Sequence, residues 1–98
     1  MTVIKSGVEL IAAERLRQVH EEGYSARHDD EHENDEQLAQ AAACYALPGR
    51  LRDYDHFKGV RGWPWDKKYW KPRADNRVAE LIKAGALIAA EIDRLLRP

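Results

Sequence analysis

A single cysteine, Cys44, leaves the chain without any internal disulfide and fits a reducing compartment. With no catalytic Cys/His spacing around it, Cys44 reads as a small buried hydrophobe and not as a nucleophile. No apolar run approaches the roughly 18 residues of a membrane span, and no charged-then-apolar leader opens the chain. The expectation is a cytoplasmic protein with no membrane contact. Also absent are the G-x-x-x-x-G-K-[ST] phosphate loop, the H-E-x-x-H metal pair and the G-x-S-x-G elbow. Internal repeats are missing too. Basic residues do not gather on one helix face, so sequence-specific DNA binding has poor support.

What is present is a single-domain length of 98 residues with an uneven charge distribution. Residues 1–47 carry four Lys/Arg against ten Asp/Glu, and residues 48–98 carry twelve against seven. The net charge of −1 therefore hides an acidic half suited to cations and a basic half suited to phosphate or another anion. Mutual attraction of the two halves, within a subunit or across a dimer, is the other reading.

Three helices are legible, over about 7–22, 35–46 and 75–97. Ser6 and Glu9 have the capping-box spacing for the first. It is expected to bury Val8, Ile11, Ala12, Leu16 in part and Val19, while Glu14, Arg17, Gln18 and Glu21 form a polar stripe. The second aligns Leu38, Ala41, Ala42 and Tyr45 and stops at Leu47-Pro48-Gly49. The third begins at a capping Asp75 or Asn76. It places Val78, Leu81, Ile82, Gly85, Ile88, Ala89, Ile92, Leu95 and Leu96 on one face, with a thinner line of Ala84, Leu87 and Ala90 beside it. A helix apolar on two sides is surrounded, by its own chain or by a second subunit. Gly85 costs about 1 kcal/mol in mid-helix, so a close helix crossing is expected there. The fold expected is all-α, a compact bundle of three main helices plus a long Trp-rich loop, assembled as a helical homodimer.

Two connecting stretches carry chemistry. His28 to Glu36 packs six carboxylates and two imidazoles into nine residues. A cation relieves such crowding, and oxygen ligands suit Mg²⁺ or Mn²⁺ better than zinc. The same acids also suit the start of a helix. Residues 48–74 are basic and aromatic and hold all three tryptophans, Trp63, Trp65 and Trp70. Aromatic rings among cations fit a nucleobase and its phosphates, and they equally fit docking of a long loop on the third helix. For Lys67, Lys68 and Lys71 the expectation is an anion contact.

The strings ERLRQ (14–18), HDDEH (28–32), LAQAAACYALP (38–48), WPWDKKYWKP (63–72) and LIKAGALIAAEIDRL (81–95) occur in this order. Together they resemble a family of small phage and prophage proteins of unknown function, which implies an infected or lysogenic bacterial host. More loosely, the chain is similar to the all-α nucleotide pyrophosphohydrolases of the MazG kind, whose E-x-x-E and E-x-x-D helices hold metal. Glu33 and Glu36 have the first spacing, at a helix start; Glu80 is followed by Lys83 where the second has aspartate.

That likeness implies hydrolysis of a nucleoside triphosphate to a monophosphate and pyrophosphate, with Mg²⁺ or Mn²⁺ on Asp29, Asp30, Glu33 and Glu36. Glu14 or Glu80 serves as general base. Arg17, Gln18, Lys71 and Lys83 hold phosphates, and Trp63 or Trp65 stacks on the base. The alternative is a non-catalytic phage-encoded dimer that binds a host or phage protein through its Trp-rich loop. Single-strand nucleic-acid binding is the weakest reading, because the acidic half opposes it.

Overall fold

Ser6 and Glu9 exchange the two hydrogen bonds of a capping box. The Glu9 amide donates to Ser6 Oγ at 3.2 Å, and the Ser6 amide to Glu9 Oε1 at 3.1 Å. They open α1 (Gly7–Glu21). The computed structural model describes residues 5–21, 36–57 and 59–98. Among them are two further α-helices, α2 (Gln37–Ala46) and α3 (Arg77–Leu96). Asn76 caps α3, its Oδ1 accepting from the Ala79 amide at 3.0 Å. Glu36 precedes α2 in the left-handed region, φ 59°, and its side chain makes no cap hydrogen bond. No helix among the described residues is long and apolar enough to cross a membrane.

The segment between α2 and α3, expected as a plain long loop, contains local structure. Gly49–Leu51 and Lys67–Tyr69 are single 3₁₀ turns. Strands β1 (Tyr54–Asp55) and β2 (Gly59–Val60) pair antiparallel, Tyr54 opposite Val60 and Asp55 opposite Gly59. Asp66 caps the second turn by accepting from the Lys68 amide at 2.9 Å.

The core lies between α2 and α3. Leu38, Ala41, Ala42 and Tyr45 meet Ala84, Leu87 and Ala90, and Trp63, Trp65 and Trp70 close over them. The stripe expected on α2 is the stripe buried.

On α3 the expected faces are interchanged. Val78, Leu81, Ile88, Ile92, Leu95 and Leu96 are exposed, whereas the thinner Ala84–Leu87–Ala90 line is buried together with Glu80, Ala86 and Glu91. Small side chains let α2 come close, and close approach gains dispersion contacts that bulky branched residues would prevent. Helix α1 is turned the same way. Val8, Ala12 and Leu16 are exposed, and Gln18, expected on a solvated stripe, is fully buried. Ile11 is packed on Gly85, where an added Cβ would overlap its side chain. The close crossing expected at Gly85 is therefore made by α1. Among the described residues the chain forms three α-helices, and the molecule is compact, 20 Å through its narrowest axis.

Candidate functional site

The carbonyl end of α2 organises the site. Its last carbonyls lack intrahelical partners and attract cations. Arg52 supplies one: Nε donates to the Cys44 carbonyl at 3.1 Å and Nη2 to that of Tyr45 at 3.0 Å. Arg77 supplies another, Nη1 donating to the Tyr45 carbonyl at 2.9 Å and Nη2 to that of Ala46. Both guanidinium groups then meet Glu80. Arg52 Nη1 lies 3.1 Å from Oε2 and Arg77 Nη1 lies 3.0 Å from Oε1, while the Arg73 amide donates to Oε2 at 3.0 Å. Burial pushes the Glu80 carboxyl up, but the hydrogen bonds from Arg52, Arg77 and the Arg73 amide outweigh it and hold the group below its ordinary value.

Beside this network opens a cavity of about 410 Å³, lined by Glu14, Tyr45, Lys71, Arg73, Ala79, Glu80, Ile82 and Lys83. Its wall draws on all three helices and on the α2–α3 connection. Three cationic side chains, Lys71, Arg73 and Lys83, stand around it. Arg73 is paired with Asp75 at 3.2 Å. Lys83 Nζ sits 5.1 Å from the centre of the Tyr45 ring, a cation–π contact. The Lys71 amide donates to the Tyr45 hydroxyl at 3.1 Å, which ties this part of the rim to α2. Burial raises the pKa of that hydroxyl, so it stays a neutral phenol able to donate as well as accept.

Glu14 enters from α1. Arg17 grips it with two bonds, Nε to Oε1 at 2.7 Å and Nη2 to Oε2 at 2.8 Å, and Gln18 Nε2 donates to Oε2 at 3.2 Å. The Arg17 hydrogen bonds hold its carboxyl below the ordinary value against the opposing effect of burial, with help from Gln18 and the charge of Lys83. Glu14 is thus ionised at neutral pH. Its side chain is 17 % exposed against 4 % for Glu80, so it is the more open of the two carboxylates. The Oε1 of Gln18 is buried with no hydrogen-bond partner among the described residues.

Of the residues singled out in the sequence, Glu14, Lys71, Glu80 and Lys83 converge on this cavity. Arg17 and Gln18 stand behind it and fix Glu14 instead of lining it. Trp63 and Trp65 do not line it either. They stack within an aromatic cluster, Trp63 at 5.6 Å from Tyr45 and 5.3 Å from Trp65. Their ring N–H groups are satisfied by the Asp66 carbonyl at 3.0 Å and by Gln37 Oε1 at 3.2 Å. Both rings thereby dock the connection on α2. Cys44 is buried as expected, and burial pushes its thiol up. Asp29, Asp30 and Glu33, the expected metal ligands, lie outside the described residues. Glu36 is exposed at the start of α2. Among the described residues no group of three or more His, Cys, Asp or Glu is placed to hold a metal ion.

Sequence reasoning passed over Arg52, Arg73 and Arg77 as site residues and read Tyr45 only as part of the apolar stripe of α2. Arg77 carried a signal, one turn ahead of Glu80 on the same helix. Arg52 carried none, because its pairing spans 28 residues of chain. Compared with family models, curated proteins and solved structures, the chain matches none.

Proposed function

We propose that the chain binds and hydrolyses a nucleoside triphosphate, releasing the monophosphate and pyrophosphate, at the cavity between α1, α3 and the Lys71–Arg73 rim. One observation carries this reading. Glu14, Lys71 and Lys83, far apart in sequence, line one opening large enough for a small ligand. Glu80 is matched there by Arg52 and Arg77, and Glu14 by Arg17, so Lys71 and Lys83 are left to attract an anion. A polyphosphate is the anion such a pair of ammonium groups suits.

The division of labour follows from the bonding. Glu80 is the counter-ion of a structural network and keeps the Arg73 amide, hence the rim, in place. Glu14 is the carboxylate with room for one more donor on Oε1, and in this reading it accepts the proton of the attacking water. The phosphoric anhydride bond breaks, and the charge that develops on the departing pyrophosphate falls to Lys71 and Lys83.

Were Mg²⁺ or Mn²⁺ to take part, Asp29, Asp30, Glu33 and Glu36 of the acidic block would hold it, and it would offset phosphate charge and lower the pKa of the attacking water. The described residues alone do not fit a metal centre, since Glu14 and Glu80 both already accept from cations. What they contribute is phosphate binding and the position of one base. The proposal includes assembly as a homodimer.

A second reading, a non-catalytic phage-type dimer that binds a host or phage protein, draws on the apolar surface exposed along α3. A thermal melt with Mn²⁺ and a panel of deoxynucleoside triphosphates separates the two. Stabilisation by one nucleotide, larger with metal and followed by pyrophosphate release, supports the enzyme. No shift with any nucleotide, metal present or absent, overturns it in favour of the binder.

A further inference from the structure

Tyr45 is fixed at its backbone, its ring and its oxygen, and one of its bonds is unmade. Arg52 Nη2 and Arg77 Nη1 both donate to its carbonyl, at 3.0 and 2.9 Å. Its ring packs edge-to-face on Trp63 at 5.6 Å and tilted on Trp70 at 4.6 Å, with Lys83 Nζ 5.1 Å from the ring centre. Its hydroxyl oxygen accepts from the Lys71 amide at 3.1 Å. A phenol oxygen that accepts on one side turns its proton to the other. Among the described residues no group receives that proton. Tyr45 is only 1 % exposed, yet it lines the cavity together with Lys71 and Lys83. A buried O–H without an acceptor is destabilising, so the arrangement is complete only when an acceptor enters the cavity.

We infer that the Tyr45 hydroxyl is a ligand-binding group of this cavity, donating to a non-bridging phosphoryl oxygen of the anion that Lys71 and Lys83 attract. The inference deepens the nucleotide reading above and rests on its anion-binding half. It takes nothing from the hydrolytic step.

The chemistry of the wall selects the acceptor. Its two carboxylates are already matched, Glu14 by Arg17 and Glu80 by Arg52 and Arg77, and neither bonds to the hydroxyl. The acceptor that enters therefore meets two ammonium groups and one O–H. A phosphoryl group carries negative charge on several oxygens and accepts from all three at once. The donors also differ in kind. An ammonium on a flexible stem supplies charge but little direction, whereas the Tyr45 O–H is held in place before the ligand arrives. The lysines thus draw the phosphate chain in, and the hydroxyl sets where one phosphoryl group comes to rest. Burial keeps the phenol protonated at neutral pH, so the donor is present.

The test is titration calorimetry on the full chain, free of metal. One arm uses inorganic tripolyphosphate, the other the nucleoside triphosphate that stabilises the chain most. Tyr45→Phe keeps the ring, its aromatic packing and the Lys83 contact, and is expected to weaken both ligands about tenfold or more. Because it also frees the Lys71 amide, a second variant separates the two roles of the oxygen. Replacing Tyr45 by 3-fluorotyrosine draws electrons from the ring, making the hydroxyl a stronger donor and a weaker acceptor. A hydroxyl that donates to the ligand then binds both ligands more tightly. One that only holds the Lys71 amide gives equal or weaker binding, and that result overturns the inference. Equal affinities in wild type and Tyr45→Phe overturn it as well, while leaving the nucleotide reading intact. An effect seen with the nucleotide alone places the contact on the nucleoside and overturns the phosphoryl assignment. A wild-type chain that binds neither ligand overturns the nucleotide reading and this inference together. Should Tyr45→Phe lose its near-ultraviolet circular dichroism, the fluorinated chain decides alone.

Discussion

Arg52 and Glu80 face each other at 3.1 Å with both side chains 4 % exposed, an ion pair held inside a small fold. Such a pair is costly to desolvate, and it persists here because the guanidinium also serves two carbonyls of α2. Removing one partner leaves the other charge buried. Glu80→Gln is therefore expected to lower stability by about 3 kcal/mol, read by urea denaturation. A loss below about 1 kcal/mol would mean that the network is not a structural hub.

The same pair sets an acid limit. Glu80 and Glu14 are both held below their ordinary values, so each binds its proton less readily folded than unfolded. Their contribution is fully present above the unfolded carboxyl value of ~4.3 and is lost as pH falls through the lower folded values. Melting temperature should hold between neutral pH and about pH 5, then fall steeply. In Glu80→Gln the fall should be shallower, because one of the two groups no longer titrates.

Gly85 presents two opposing effects. Alanine favours the helix by about 1 kcal/mol, yet its methyl group would overlap Ile11 and force α1 outward at a cost of about 1–3 kcal/mol. Gly85→Ala should be a net loss in the wild-type background. With Ile11→Ala the overlap disappears and the same substitution should become stabilising. A double-mutant cycle by chemical denaturation reads the change of sign.

Lys83 tests the cavity. Lys83→Gln removes an ammonium from its wall and a cation–π contact with Tyr45, which costs at most about 1 kcal/mol of stability. Affinity for a nucleoside triphosphate should fall about tenfold or more, since a charged hydrogen bond is lost. Titration calorimetry of wild type and variant gives the ratio, and equal affinities would place the phosphates elsewhere.

Local rules read from the sequence located the helices well. Ser6 with Glu9 and Asn76 with Ala79 mark two starts, Pro48 follows the end of α2, and the α2 stripe is the one buried. These signals act within one or two turns, where the chain itself fixes the geometry. Four cavity residues, Glu14, Lys71, Glu80 and Lys83, were also identifiable as charged groups with phosphate or acid–base chemistry. That they share one wall was not, because nothing local relates positions 14, 71 and 83.

What the sequence alone determined, then, is where the helices lie and which sectors of each are apolar. On α3 two sectors qualify, and periodicity gives their angles without ranking them. The tertiary structure chose the sector of Ala84, Leu87 and Ala90, because α2 packs there and Arg52 and Arg77 can neutralise Glu80 on the same side. It also turned Glu14 and Gln18 of α1 inward, where Arg17 and the cavity satisfy Glu14. Burial is decided by the neighbour, through packing distance and the pairing of charge, and those neighbours come from distant parts of the chain.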